Sequence, residues 1–152
     1  SATTRMPRMF GFQAAGSAPM VLGHVVKDPD TIASAIRIGN PASWELALKA
    51  QADSDGYFGS ITDDKILEAH RILSAEVGIF VEPASAISVA GLLERAEAGE
   101  IPKGSTVVLT VTGHGLKDPQ WALRTADGSE VQPTIVSVDT DEVAGVLGLV
   151  RA

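Results

Sequence analysis

The sequence contains no cysteine, no strongly basic stretch and no long apolar run. The lack of cysteine excludes a disulfide framework and a thiolate metal site. Charges of both signs are scattered along the chain and sum to a formal net charge of -7, so no basic face is available to a nucleic-acid backbone. The apolar runs fall far short of the roughly 20 residues that span a bilayer. We therefore predict no nucleic-acid partner, no membrane helix and a cytoplasmic location.

Length and apolar content predict one globular domain over residues 1–152. An apolar fraction of 45% is enough to build a single packed core. The three histidines, His24, His70 and His114, are isolated, and no histidine–carboxylate cluster has metal-ligand spacing. We predict no metal site.

Helical and strand-like segments alternate along the chain, which predicts an α/β fold with a mainly parallel sheet flanked by helices. Strands are predicted at residues 9–12, 57–61, 79–81 and 105–112. Helices are predicted at residues 41–52, 63–77, 84–98 and 141–149. Residues 125–137 are turn-rich and are predicted to be exposed.

The 105–112 segment is β-branched nearly throughout and predicts a central parallel strand that is covered on both faces. Ligands bind at the carboxyl ends of strands in open α/β sheets, so Thr110, Thr112 and the glycines around His114 are the first residues to consider. A hydroxyl there can bind a ring nitrogen. It can equally bond a local amide at a turn, and the sequence leaves both interpretations open.

Two further positions are candidates for lining a ligand. Glu82 lies between a predicted buried strand and a helix amino terminus, where it can cap the helix or point into a cleft. Ala14, Ala15 and Gly16 have almost no side-chain bulk, which suits a backbone that another group approaches closely. No serine-nucleophile elbow, dinucleotide fingerprint or phosphate-loop motif is present in the sequence.

Four stretches, taken together and in order, resemble the carboxyl-terminal half of the threonine synthase family. They are residues 7–16, 35–44, 80–86 and 110–119. That family is part of the tryptophan-synthase-β-like, or fold type II, group of pyridoxal-phosphate enzymes. The resemblance covers roughly residues 7–123 and then fades, so residues 124–152 are a less certain terminal extension.

The resemblance implies a lyase that converts O-phospho-L-homoserine and water to L-threonine and phosphate, with pyridoxal phosphate as cofactor. It implies that a hydroxyl, at Thr112 or alternatively Thr110, faces the pyridine nitrogen. It also implies that Ala14, Ala15 and Gly16, in the turn after the first predicted strand, line the cofactor side of the cleft, and that Glu82 and the turn after it lie near the ring. The implied cofactor-binding residues are Thr112, Thr110, Glu82, Ala14, Ala15, Gly16 and Gly113.

The chain departs from the family pattern in one important respect. The Schiff-base lysine and the glycine-rich phosphate loop of the family lie upstream of this region, and the lysines present here stand in other contexts. We therefore expect no catalytic residue in this chain and no activity from it alone. Its expected partner is the amino-terminal half of the same enzyme, and the apolar surface left uncovered predicts a homodimer.

Two other functions remain open. The chain can be a stand-alone α/β binding or regulatory domain that keeps the fold without the chemistry. It can also be part of a related dehydratase acting on serine or threonine, which the residues at 37–44 disfavour because they look specific to the synthase.

Overall fold

The computed structural model describes residues 4, 6–124 and 128–149. Contacts divide the chain into two units, Ser1–Trp121 and Ala122–Ala152. The described part of the second unit includes the helix Thr140–Val146 and an isolated antiparallel bridge between Arg124 and Glu130. Its described residues between 128 and 137 are almost all exposed, as predicted, while residues 125–127 of that prediction lie outside the described residues.

Along the described part of the chain, one strand is followed by two α-helices, a second strand and four further α-helices. They are β1 Phe10–Ala14, α1 Pro19–Leu22, α2 Trp44–Asp53, β2 Tyr57–Ile61, α3 Asp63–Ile72, α4 Pro83–Glu97, α5 Pro119–Ala122 and α6 Thr140–Val146. The sequence therefore predicted β2 at its observed bounds and α4 and β1 to within a few residues.

Strands β1 and β2 form a two-stranded parallel sheet in which Phe10 pairs with Tyr57 and Ala14 pairs with Ile61. Parallel pairing requires a crossover connection, and the chain between the strands supplies it with α1 and α2. The predicted parallel sheet is thus confirmed for this pair of strands.

Helix α4 packs on the sheet and helix α3 packs on α4, and together they form the core of the first unit. Ile61 of β2 and Ile66 of α3 are fully buried in it, together with Ala86 of α4. The ring of Phe12 in β1 lies against Gly91 of α4, where a Cβ atom would overlap the ring. This close approach holds α4 across the sheet.

The predicted helix from residue 63 to residue 77 is present, but its last turn is not α-helical. Helix α3 continues into a π-helical turn at Leu73–Val77, and Gly78 ends it with a φ of 73°. A positive φ is easily adopted by glycine, so Gly78 acts as the predicted stop.

The helix predicted at residues 41–52 corresponds to α2, and its predicted start at Pro41 is wrong. Helix α2 begins at Trp44, and Ser43 at its amino-terminal cap makes no side-chain capping hydrogen bond. The chain just before it is fixed by a tertiary contact, because the Val26 amide donates to the Gly39 carbonyl at 3.0 Å. A Cβ atom at Gly39 would overlap the Val26 carbonyl, so the backbone path is set there and not by local capping.

Two predicted strands are not strands in the structure. Residues 79–81 contribute one isolated antiparallel bridge, between Val81 and His114, and Ile79 is 44% exposed. The 105–112 segment pairs with no described strand, and Val108 is 88% exposed. A strand exists only when a neighbour supplies a hydrogen-bonding ladder, and the described residues provide none for this segment. The composition of the segment therefore predicts a buried strand, whereas the described residues leave Val108 exposed.

Candidate functional site

The amino-terminal turn of α4 holds the end of the 105–112 segment through one serine. The Ser85 hydroxyl accepts hydrogen bonds from the Gly113 amide at 2.6 Å and from the Thr112 amide at 3.2 Å. It also lies 3.2 Å from the Thr112 hydroxyl. Ser85 is buried, whereas Thr112 is exposed. The helix thus fixes the backbone of Thr112 and leaves its side chain accessible.

Glu82 directly precedes the same turn of α4. Its amide donates to the Gly113 carbonyl at 3.0 Å, and the residue is only 4% exposed. A Cβ atom at Gly113 would overlap the Glu82 carboxylate, so the side chain packs directly on the glycine. Glu82 is also the residue before α4, but its side chain makes no capping hydrogen bond to the helix. The Glu82 carboxylate therefore does not cap the helix through a hydrogen bond, although Glu82 occupies the N-cap position.

Thr110 is held by the next turn of the helix. The Ser88 hydroxyl lies 3.2 Å from the Thr110 carbonyl and 3.2 Å from the Ser85 carbonyl, and these two acceptors share its single proton. Ser85 and Ser88 are three residues apart, so they lie on one face of α4. The two hydroxyls on that face bind the carboxyl end of the 105–112 segment, which pairs with no described strand.

The loop after Thr112 is anchored at two more points. The Gly115 amide donates to the Phe80 carbonyl at 3.3 Å, and a Cβ atom at Gly115 would overlap the Phe80 ring. The Ser34 hydroxyl donates to the buried Asp118 carboxylate at 2.7 Å. His114 accepts a hydrogen bond from the Leu116 amide at its Nδ1, which gives it a role in the turn. The loop is therefore built as a defined structure on both sides of His114.

The small residues at the end of β1 and in the turn after it lie in different environments. Ala14 is fully buried in the core, while Ala15 and Gly16 are exposed in the helical turn Ala15–Ser17. A Cβ atom at Gly16 would overlap the Asp30 carbonyl, and the Asp30 amide donates to the Gly16 carbonyl at 3.0 Å. Among the described residues, no hydrogen bond joins these three residues to Thr112, so their cofactor role stays a prediction.

An open cavity of about 310 Å³ lies beside β1. It is lined by Phe12, Gln13, Ile36, Ile38, Pro41, Ala42 and Ser43. The Gln13 side-chain carbonyl already accepts from the Met20 amide at 2.8 Å, so it is engaged in holding α1. The remaining lining is mostly apolar and offers no charged group.

Among the described histidines, His70 is buried and its surroundings shift its pKa. Burial lowers its pKa below the ordinary value of 6.5, and the nearby positive charge of Arg71 acts in the same direction, while a backbone hydrogen bond at Val81 opposes both. Its ring lies edge-on to Phe80, with centroids 6.4 Å apart. His70 therefore supports the chain beneath the loop as a neutral side chain.

Neither a metal site nor a membrane-spanning helix is found in the part of the chain that the structure describes. No three of its histidine, aspartate or glutamate side chains are grouped so as to hold a metal ion. No helix in residues 6–124 or 128–149 is long and apolar enough to cross a bilayer.

Sequence reasoning placed residues 82–85 near the expected ring but assigned no separate role to Ser85. Ser88 was not singled out. The only sequence signal was a pair of serines three residues apart in a predicted helix, which is common at exposed positions. Their importance follows from the segment that they bind, and that contact spans 27 residues for Ser85 and Thr112.

The site therefore consists of an exposed hydroxyl, flanked by a glycine, at the end of a β-branched segment in an α/β unit. The family model described as pyridoxal-phosphate dependent enzyme matches residues 1–113, and the chain belongs to this family. Pyridoxal phosphate is the cofactor that membership implies.

Two curated relatives that the chain matches along most of its length are threonine synthases. The chain is 54% identical over 146 residues to a threonine synthase of Mycobacterium leprae, and this match covers 96% of the chain and 39% of the relative. It is 51% identical to a threonine synthase of Synechocystis, covering 95% of the chain and 37% of the relative. The chain thus spans about two-fifths of the length of these relatives.

Solved structures support the fold. A threonine deaminase of T.th. matches 67% of the chain and 35% of its own length, with a TM-score of 0.52 and 20% identity. A fungal L-serine ammonia-lyase from Rhizomucor miehei matches 74% of the chain and 39% of its own length, with a TM-score of 0.55 and 18% identity. The predicted α/β fold, of the fold type II group, is confirmed.

The described residues fit one edge of the cofactor. Thr112 offers an accessible hydroxyl, and the lack of a side chain at the buried Gly113 makes room for the Glu82 carboxylate that packs behind it. A pyridine nitrogen needs one such polar partner at hydrogen-bonding distance. A Schiff-base lysine motif and a phosphate loop are not part of this sequence.

Proposed function

We propose that this chain is the carboxyl-terminal part of a threonine synthase and forms the wall of the active site that meets the pyridine nitrogen of the cofactor. The complete enzyme converts O-phospho-L-homoserine and water to L-threonine and phosphate. The observation that carries the proposal is the position of the Thr112 hydroxyl, exposed on a backbone that the buried Ser85 holds. The high identity to threonine synthases supports the choice of reaction.

Bound pyridoxal phosphate supplies an electron sink for the carbanions that the reaction requires. The chain's own contribution is orientation. Thr112 holds the ring nitrogen through a neutral hydroxyl, which does not force a proton onto that nitrogen as a carboxylate partner would. Glu82 is held against Gly113 beneath the same loop, where it fixes the position of the loop backbone.

The chain alone is proposed to be inactive. Of its lysines, Lys49 pairs with Asp53 at 2.7 Å on the surface of α2. Lys65 pairs with Glu94 at 2.5 Å between α3 and α4. Neither lies in the serine-lysine-aspartate-arginine context of the family's Schiff-base segment, and the same holds for Lys117. The lysine and the phosphate loop are proposed to come from the upstream half of the enzyme.

The test is to complete the enzyme. We define the completed protein as this chain placed behind the upstream region of the Mycobacterium leprae relative. It is expected to bind pyridoxal phosphate with the visible absorbance of a lysine-bound coenzyme and to release phosphate from O-phospho-L-homoserine. The isolated chain should do neither, and it is the control. A completed, folded protein that binds coenzyme but releases no phosphate would contradict the proposed reaction.

The two alternatives give different results in the same assay. A stand-alone binding or regulatory domain would leave the completed protein without coenzyme absorbance. A serine or threonine dehydratase would release ammonia and a 2-oxo acid from serine or threonine instead of phosphate. The solved relatives with that chemistry are only 18–20% identical to the chain, so they support the fold and not this reaction.

Assembly and location are also part of the proposal. The exposed apolar side chains of the first unit, such as Val108 and Leu116, are proposed to be covered by the upstream half of the enzyme. A homodimer and a cytoplasmic location remain predictions from the sequence. The residues that bind the substrate phosphate are proposed to lie upstream.

A further inference from the structure

The contacts of Ser85 determine more than the path of the backbone. Its hydroxyl oxygen has three polar neighbours: the Gly113 amide at 2.6 Å, the Thr112 amide at 3.2 Å and the Thr112 hydroxyl at 3.2 Å. The first two are N–H groups and can only donate. The third can donate or accept, so its direction follows from the other two.

A hydroxyl group has one proton and two acceptor lone pairs. In Ser85 the two amides occupy both lone pairs, so the hydroxyl cannot accept a third hydrogen bond from Thr112. The remaining contact must use the proton of Ser85. Ser85 is therefore the donor and the Thr112 oxygen is the acceptor.

This direction leaves the proton of Thr112 available. Among the residues that the structure describes, no other polar group is hydrogen-bonded to the Thr112 hydroxyl. The Thr112 side chain is exposed, so its proton can point away from the protein toward a ligand. A hydroxyl whose lone pair already accepts a hydrogen bond is also a better donor, because neighbouring hydrogen bonds polarise one another.

We propose that Ser85 is a positioning residue that makes the Thr112 hydroxyl a hydrogen-bond donor to an unprotonated ring nitrogen of the cofactor. The inference rests on the proposed function, which assigns Thr112 to that nitrogen. It adds Ser85 to the site and assigns the direction of the hydrogen bond that Thr112 makes. Without Ser85, the Thr112 hydroxyl can rotate, and its proton has no fixed direction.

Ser88 supplies a matched control. It lies one turn further along the same helix and anchors the same segment, but it contacts the Thr110 carbonyl and not the Thr112 hydroxyl. Ser88→Ala therefore removes a contact between α4 and the segment without changing the direction of the Thr112 hydrogen bond. A purely structural role for Ser85 predicts similar effects from both serine-to-alanine changes.

The experiment uses the completed protein loaded with pyridoxal phosphate that is labelled with nitrogen-15 in the ring. The ring-nitrogen chemical shift reports directly on the hydrogen bond that it accepts, and it needs no substrate. Ser85→Ala is expected to move this shift in the same direction as Thr112→Val, and Ser88→Ala is expected to leave it unchanged. Coenzyme binding by Ser85→Ala should weaken about three- to tenfold, the size expected for one net hydrogen bond.

Conservative variants keep the test decisive if Ser85→Ala does not fold. Ser85→Thr retains the hydroxyl and is expected to keep the original ring-nitrogen shift. Ser85→Cys replaces it with a thiol, a weak donor, and is expected to move the shift toward that of Thr112→Val. Equal shifts for Ser85→Thr and Ser85→Cys would overturn the inference.

The outcomes separate this inference from the function on which it rests. If Thr112→Val leaves the ring-nitrogen signal unchanged, Thr112 does not meet the ring and the proposed assignment falls. If Thr112→Val moves the signal and Ser85→Ala does not, only the role of Ser85 is overturned. Faster hydrogen exchange at the Gly113 amide in Ser85→Ala, with an unchanged ring signal, would show an anchor for the backbone alone.

Discussion

Gly16 lies against a neighbouring backbone, and this contact gives it a structural role independent of any cofactor. A Cβ atom there would overlap the Asp30 carbonyl, which is backbone and cannot rotate away. We predict that Gly16→Ala lowers the stability of the completed protein by roughly 1–3 kcal/mol, the usual cost of overpacking. Thermal unfolding followed by circular dichroism measures it.

Gly145 provides the control for this substitution. It lies in α6, and no described atom outside the helix backbone lies within 4 Å of an added Cβ atom. Gly145→Ala is expected to be neutral or to stabilise by up to about 1 kcal/mol, since alanine favours a helix over glycine. Unfolding midpoints that are equal for Gly16→Ala and the parent protein would rule out the structural role.

His70 couples the stability of the fold to pH. Burial lowers its pKa in the folded chain below 6.5, so in the window below that value the unfolded chain binds more protons than the folded one. Stability from this residue is complete above about pH 6.5 and is lost as the pH falls through the lowered pKa. The stability must therefore rise with pH across this window.

We predict that His70→Gln reduces the loss of stability between about pH 7.5 and pH 5, because it removes this titrating group. The measurement is the unfolding midpoint of the completed protein at both pH values. His24→Gln, at an exposed position, controls for the loss of an imidazole in general. An identical pH dependence in His70→Gln and the parent protein would show that His70 does not contribute.

At the scale of elements, the 105–112 segment is held by side chains and not by a sheet. Ser85 and Ser88 bind only its carboxyl end, through Thr110, Thr112 and Gly113. The preceding residues make no described strand pairing, and Val107 and Val108 are 46% and 88% exposed. Their β-branched composition fits a strand between two neighbours, which the rest of the enzyme is proposed to supply.

Hydrogen exchange followed by mass spectrometry tests this interpretation. In the isolated chain, amides of residues 106–111 should exchange with an opening free energy near zero, whereas those of β1 and β2 should be protected. In the completed protein the same amides are expected to become protected. Unchanged fast exchange in the completed protein would mean that no strand pairs with this segment.

Helix α4, whose hydrogen bonds are local, was predicted well from the sequence. Helix α4 was predicted to within one residue because Glu82-Pro83 marks its start and its backbone hydrogen bonds are all within the helix. Residues 79–81 and 105–112 were assigned as strands from equally strong composition, and both assignments fail in this structure. Composition indicates which segments favour a strand, but pairing depends on neighbours that the segment does not contain.

At the scale of the whole molecule, exposed apolar residues predict association. Val108 and Leu116 are 88% and 71% exposed, and Ile79 is 44% exposed. We predict that the isolated chain self-associates, as light scattering after size-exclusion chromatography would show. The replacement Val108→Asp should reduce that association, because it places a charge in the apolar surface. A dilute parent chain that is already monomeric would contradict the prediction.

The same replacement should act differently in the completed protein. If upstream strands cover Val108 there, Val108→Asp must bury a charge and should cost several kcal/mol of stability. In the isolated chain, where the side chain is exposed, it should cost little. Equal effects in both proteins would show that the upstream half does not cover this residue.

The sequence by itself determined the α/β class, the family resemblance, helix α4 and the choice of Thr112 as a candidate, because periodicity, turn residues and motifs depend on neighbouring positions. The tertiary structure decided that Ser85 binds the backbone at Thr112 and Gly113, and that Glu82 packs on Gly113 instead of capping its helix. The physical reason is that these contacts join residues far apart in the sequence, where no local pattern indicates them. The direction of a hydroxyl proton depends on which groups fill the lone pairs of its neighbour, and 27 residues separate Ser85 from Thr112.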